Sequence, residues 1–211
     1  MKIIADLHIH SRFSRACSPK LTLPNLDKWA KIKGINLLTT ADFTHPVWLR
    51  ECEEQLKFEG NGFYKLKKNS QGTYFIFTTE ISFIYKKGDK VRRVHEVVLS
   101  PDIETVKKIN KVLEERNFNL KSDGRPILGL SDRDFLELMK SIDERIEIIP
   151  AHIWTPWFSV FGSKSGFDSL EECFGDMTKY IFALETGLSS DPPMNWRVSA
   201  LDNYILVSNS D

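Results

Sequence analysis

One apolar segment after another in this chain runs directly into a histidine or a carboxylate. "KIIADLHI" ends at His8 with His10 two residues on, "INLLTTA" leads to Asp42, "TYFIFTTE" ends at Glu80, "RIEIIPAH" at His152, "YIFALETG" contains Glu185 and "YILVSNSD" ends at Asp211. Each segment has the length and composition of a buried strand. Most are separated by helical segments. "LPNLDKWAKIKG" has Pro24 in its first turn and Gly34 just past its end. "HPVWLRECEEQLKF" follows a cap at Thr44, and "SPDIETVKKINKVLEERN" starts at Ser100 and Pro101 with Ile103, Val106, Ile109 and Leu113 on one face. Ser131 opens "DRDFLELMKSID"; "DSLEECFG" and "PMNWRVSALDN" read as further helices. Strands alternating with helices imply right-handed parallel crossovers and a parallel sheet, open or closed.

The polar residues separate those two possibilities. No GxGxxG or P-loop follows the first strand, as an open nucleotide-binding sheet would often have. In a (β/α) barrel the C-terminal ends of the strands converge on one rim, so residues distant in sequence face a common centre. His-x-His at a strand end puts both imidazoles on the same face, because strand side chains alternate. Imidazoles with several carboxylates suit zinc, manganese or iron, and more than one ion.

Two stretches interrupt the alternation. "ISFIY", "KKGDK" and "VRRVHEVVL" form a hairpin turning at Gly88-Asp89 and carrying His95, and its basic turn reads as a solvated edge. "IWTPWFSVFGSKSG" is a long aromatic loop, while "FNLKSDGRPILGL" is an irregular surface loop. The 211 residues, 41% of them apolar, suffice for one α/β domain over 1–211. Lysine plus arginine (29) balances aspartate plus glutamate (29), which argues against a wholesale polyanion binder. Cys17, Cys52 and Cys173 are an odd, widely spaced set that reads as reduced thiols. With no signal sequence and no run of membrane-spanning length, the expectation is a cytoplasmic protein without membrane contact. The end of the chain on an apolar strand suggests a fragment of a longer protein.

"ADLHIHSRFS", "TTADFTHP", "TEIS", "HEVVL", "PAHIWTPW" and "SNSD", in that order, resemble the PHP (polymerase and histidinol phosphatase) superfamily of metal-dependent phosphoesterases. "ADFTHPVW", "HIWTPWFSVFGSKSGFDSL" and "ALETGLSSDP" more closely resemble its endonuclease Q branch, which nicks DNA 5′ to deaminated bases and abasic sites. The resemblance covers nearly the whole chain. It implies a distorted (β/α)7 barrel, incomplete at its C-terminal end, and two or three divalent ions (Zn, Mn, Mg or Fe).

Carried over by position, it makes His8 and His10 ligands of one metal and Glu80 a bridge between ions. His95 and His152 complete a neighbouring position, Asp211 begins the closing Asp-x-His pair, and Glu185 is a further strand-end ligand. Glu80, His152 and Asp211 are the expected catalytic residues. The superfamily's "TDH" stands here as "ADF", so that either Asp42 replaces the usual histidine or His45 reaches in from the turn. The acid often found after the first motif is missing, with Ser14 and Cys17 in its region.

The expected partner is duplex DNA with a damaged base. Trp154, Trp157 and Phe158 could stack on unpaired bases or plug the barrel mouth, and Lys164 and Arg197 are candidate phosphate contacts. The alternatives are a phosphomonoesterase of small metabolites and an inactive nucleic-acid-binding accessory domain.

Overall fold

The computed structural model describes residues 2–69 and 71–211. The chain falls into two compact units, each built from separated stretches: Met1–Thr79 with Leu99–Pro126 and Ser210–Asp211, and Glu80–Val98 with Ile127–Asn209.

In the first unit the order is β1 (Ala5–Asp6), α1 (Leu23–Lys33), β2 (Leu37–Thr39), α2 (Pro46–Gln55), β3 (Leu56–Gly60), β4 (Phe63–Leu66), the start of β5 (Tyr74–Lys87) and α3 (Ile103–Glu115). β1, β2 and β5 pair in parallel, whereas β3, β4 and β5 pair antiparallel. β1 is much shorter than "KIIADLHI" suggests. Ile3 and Ile4 are 57% and 45% exposed, and pairing with β2 begins only at Ala5.

α1 has Pro24 in its first turn, and Gly34, at φ +74°, returns its amide to the last carbonyls. α2 is capped by His45, whose Nδ1 accepts from the Trp48 amide. The expected cap, Thr44, is instead buried with its hydroxyl on Thr79 and the Gly124 carbonyl. The helix also stops at Gln55, and the residues expected to finish it form the β3–β4 hairpin. Gly60, Asn61 and Gly62 turn that hairpin at φ +98°, +52° and +80°, a left-handed run that this triplet adopts at little cost. α3 is capped by Asp102, two residues later than expected, and buries Val106, Ile109 and Leu113 completely. Each of the three contributes about 1.5–3 kcal/mol.

The second unit holds the rest of β5, β6 (Lys90–Ser100) up to Val98, β7 (Ile127–Leu128), α4 (Asp132–Ile142), β8 (Glu147–Pro150), α5 (Leu170–Phe174), β9 (Ala183–Glu185), α6 (Pro192–Asn195) and β10 (Ile205–Val207). "TYFIFTTE" and "ISFIY" are one continuous strand, buried from Phe77 to Phe83. β7, within the stretch expected to be a loop, pairs in parallel with β5 at Ser82 and Phe83. β6 pairs with β5 and β8. Ser131 caps α4, as expected. α6 is only the start of the expected helix, and a 3-10 turn at Ser199–Leu201 follows it.

This is a mixed α/β fold with a central multi-stranded sheet. Among the described residues β9 and β10 pair parallel as a separate two-stranded sheet, and strand pairing closes no barrel. Among the described residues no helix is long and apolar enough to cross a membrane.

Beneath β6 lies a buried acid pair. Burial pushes the carboxyls of Glu96 and Asp132 upward, and the Tyr85 hydroxyl donates to Asp132 Oδ2 at 2.6 Å. Protonation of such groups relieves the cost of burying their charges. The three cysteines are free thiols, with Cys52 and Cys173 buried.

Candidate metal centre

The first unit brings His8, His10 and Asp211 together. Asp211 Oδ1 lies 3.5 Å from His8 Nε2 and 3.5 Å from His10 Nε2. Two ligands about 2.1 Å from a tetrahedral ion lie about 3.4 Å from each other, so this spacing suits shared coordination. The Asp211 amide donates to the His8 carbonyl at 2.9 Å, tying the acid to the strand end that carries the histidines. Asp6 accepts from the Ser210 amide and hydroxyl at 3.2 and 2.6 Å, which makes it a clamp on the same segment.

The second unit brings Glu80, His95 and His152 together, all three buried. Glu80 Oε1 is 2.6 Å from His95 Nδ1 and 3.2 Å from His152 Nε2, and the two ring nitrogens are 3.4 Å apart. One carboxylate oxygen and two imidazole nitrogens, all within 4.8 Å of one another, are a donor set for a divalent cation.

The remaining strand-end acids touch the histidines in a different way. Asp42 Oδ1 lies 3.1 Å from His10 Nδ1, the ring nitrogen that does not face Asp211. Glu185 Oε2 accepts from the backbone amide of His152 at 2.8 Å, and its Oε1 accepts from Asn209 Nδ2 at 2.6 Å. His152 has φ +30°, a conformation that L residues rarely adopt, and the Glu185 bond holds it there. His45, the alternative to Asp42, caps α2 with its ring stacked on Phe13 at 4.1 Å. Burial lowers its pKa.

The aromatic loop separates into braces and exposed groups. Trp154 donates from Nε1 to Asn195 Oδ1 at 2.9 Å and packs on Phe161, which ties the loop to α6. Phe158, at φ +58°, lies 4.6 Å from the His95 ring. Trp157 is 47% exposed, with the Arg93 guanidinium 5.1 Å from its ring. The glycines of "GSKSG" do not form an open turn. A Cβ on Gly162 would sit 2.7 Å from the Thr155 carbonyl oxygen, so only Ser163 and Lys164 face outward. Arg197 is also exposed. In the basic hairpin, Arg92 is spent internally, on Glu172 and the Gly166 carbonyl.

Four contributors were not singled out from the sequence as site residues: Ser14 and Gly124 around Asp42, and Asn195 and Asn209 around Trp154 and Glu185. Ser14 alone left a signal, standing in the region where the superfamily's acid is missing.

No protein-family model matches the chain. It is 31% identical to the uncharacterized protein YqxK of Bacillus subtilis over its whole length, covering 54% of that relative. It is 33% identical to an uncharacterized protein of Methanocaldococcus jannaschii over 151 residues, 72% of this chain and 16% of the relative. Among solved structures, the lesion-specific endonuclease Q of Pyrococcus furiosus superimposes with a TM-score of 0.84 at 33% identity, covering 99% of this chain and 48% of that one. An endonuclease Q complex with a 27-mer duplex bearing an abasic lesion at the active site gives 0.84 at 34% identity, covering 98% and 48%. A protein described as a metal-dependent phosphoesterase from Bifidobacterium adolescentis shares the fold, with a TM-score of 0.62 at 12% identity, 99% of this chain and 87% of that one. The chain thus spans about half the length of endonuclease Q and of YqxK, and over that span it is similar in sequence and fold to endonuclease Q.

Proposed function

We propose that this chain is the metal-dependent hydrolytic part of a DNA-repair endonuclease, cutting the phosphodiester 5′ to deaminated bases (uracil, hypoxanthine, xanthine) or abasic sites. The observation that carries the reading is the pair of donor clusters, His8/His10/Asp211 and Glu80/His95/His152, in a chain similar along its length to endonuclease Q.

Each cluster would hold a divalent ion. Such ions supply an activated water at neutral pH and neutralise charge developing on the phosphoryl oxygens. The protein's own part is to present ring nitrogens and carboxylate oxygens already gathered at ligand spacing, with His8, Glu80, His95 and His152 held in place by burial. Glu80 contributes a buried carboxylate oxygen 2.6 and 3.2 Å from one nitrogen each of His95 and His152. Asp211 offers one 3.5 Å from a nitrogen of both His8 and His10.

Substrate binding falls to exposed groups. Trp157 offers a face on which an unpaired base can stack, and Lys164 and Arg197 offer charge to a phosphate backbone. Trp154 and Phe158 belong to the frame that holds them.

Glu80→Ala and His152→Ala proteins test the reading. Both should keep their far-ultraviolet dichroism and lose nicking of lesion-containing duplex in manganese or zinc. Wild-type turnover of a generic phosphomonoester with no action on such duplexes would favour the metabolite phosphatase instead.

A further inference from the structure

We propose that Arg93 contacts the DNA backbone beside the Glu80/His95/His152 cluster, gripping a phosphate next to the base that stacks on Trp157. The proposal rests on the nucleic-acid reading above and deepens it.

Arg92 and Arg93 are neighbours on β6, where successive side chains point to opposite faces. Arg92 turns inward and is buried. Its Nη2 donates to Glu172 Oε1 at 2.8 Å, its Nη1 donates to the Gly166 carbonyl, and its guanidinium lies 4.1 Å from the centre of the Phe167 ring. Arg93 turns the other way and is partly exposed. Its guanidinium lies 5.1 Å from the centre of the Trp157 ring, and among the described residues no carboxylate pairs with it, in contrast to Arg92. His95 stands two residues further along β6, on the side of the strand that carries Arg93, with its ring 4.6 Å from Phe158. Consecutive loop residues, Trp157 and Phe158, therefore meet Arg93 and His95 in turn. Two residues of strand span about 6.6 Å, so Arg93 is anchored beside the cluster, at a position for the backbone flanking a bond cut there and not for the bond itself.

The loop is stitched to this edge of β6. The Arg93 amide donates to the Ser165 carbonyl at 3.2 Å, and the Ser165 hydroxyl donates to the Arg93 carbonyl at 3.2 Å. The same hydroxyl accepts from the Phe158 amide at 3.3 Å, while the His95 amide donates to the Phe158 carbonyl at 3.2 Å. Cation and indole are thus held together before any ligand arrives, which lowers the ordering cost of binding one. A guanidinium over an aromatic face keeps its planar fork of N–H donors available for two phosphate oxygens. A nucleotide whose base has left the stack offers both a phosphate and a ring face, the two groups that Arg93 and Trp157 match. The basic residues of this hairpin, alike in the sequence, are sorted by the fold. Lys87 donates to the Glu172 carbonyl, Arg92 braces the same stretch, Lys90 is exposed at the turn, and Arg93 faces the loop beside the cluster.

The test is the salt dependence of duplex binding. Fluorescence anisotropy of an end-labelled duplex with one abasic site, in chelator so that the strand stays whole, gives the slope of log Kd against log salt from about 50 to 200 mM. Each phosphate neutralised contributes about 0.9 to that slope. Arg93→Gln should lower it by about 0.9 and weaken binding about 5–10-fold at 0.1 M salt, to a similar extent for the damaged and the undamaged duplex, because a phosphate carries no sequence. Arg93→Lys, which keeps the charge, should retain the wild-type slope. Arg93→Gln should also keep the wild-type manganese affinity and Tm, which separates a lost phosphate contact from a disturbed loop. Lys90→Ala removes one charge from the exposed turn and should leave the slope as it is.

A wild-type slope in Arg93→Gln overturns the proposal while DNA binding by the chain stands. So does an equal loss in Lys90→Ala, which would make Arg93 one surface charge among several, or a loss of manganese affinity in Arg93→Gln as large as its loss of DNA affinity. A wild-type protein that binds neither duplex fails the nucleic-acid reading and the proposal together.

Discussion

Glu185 offers the most exacting perturbation. Its Oε2 accepts from the His152 amide at 2.8 Å and its Oε1 from Asn209 Nδ2 at 2.6 Å, with the acid and His152 both buried. Glutamine has nearly the same shape but one acceptor in place of two, so Glu185→Gln must turn its NH2 against one of these donors. The charge-assisted bond it loses is worth about 1.5–3 kcal/mol, and His152 at φ +30° loses part of what holds it there. For a chain of this length 1 kcal/mol moves Tm by about 2–4 °C, so thermal denaturation at neutral pH should fall by about 3–12 °C. Because the His152 ring is aimed by its own backbone, metal affinity should fall about 10–100-fold in the same protein. Unchanged Tm with unchanged affinity would refute the bracing role. Unchanged Tm with affinity lost altogether would make Glu185 a direct ligand.

Other consequences can be measured independently. Trp157→Ala should weaken binding of lesion-containing duplex by about 1–3 kcal/mol, seen by fluorescence anisotropy, and leave Tm unaltered. Trp154→Phe should do the reverse, lowering Tm because the buried Asn195 loses the indole N–H that donates to it. The Glu96–Asp132 pair has a sign that can be worked out. Burial raises both carboxyls in the folded protein, so the native state binds more protons than the unfolded chain. Its stabilising contribution is complete below the unfolded carboxylate range, about pH 4, and is lost as pH rises toward the raised folded values. Glu96→Gln should therefore flatten the decline of Tm with rising pH, and an unaltered profile would contradict the assignment. Leu113→Ala should cost about 2–5 kcal/mol in denaturant unfolding, since α3 buries that side chain completely.

The chemistry of the site was legible in the sequence because it depends on residue type at the end of apolar runs. His8, His10, Glu80, His152 and Asp211 follow such runs, and each cluster draws on them. The hydrogen bonds of two of the acids were not legible. Asp42 and Glu185 look like the other strand-end carboxylates, and the amides they accept from, of Ser11 and His152, are presented by backbone that includes positive φ at Ala41, Asp42 and His152. The fold was misread where short signals compete. Leu56–Phe58 read as the end of α2, yet Asn61-Gly62 is a hairpin signal that the structure obeys. β5 was divided at Glu80 because a carboxylate there suggested a strand end, whereas Glu80 is buried inside one strand of 14 residues. "GSKSG" has the composition of an exposed turn and the packing of a closed one, since both its glycines face neighbouring backbone oxygens.

The most direct measurement is a mapping of cut positions at nucleotide resolution, on an end-labelled duplex with a single uracil, hypoxanthine or abasic site and on its undamaged counterpart. The account predicts one cut, 5′ to the lesion, that disappears with a chelator, returns with manganese or zinc, and is absent in Glu80→Ala. Cutting of both duplexes alike, or cutting that persists in the chelator, would contradict it.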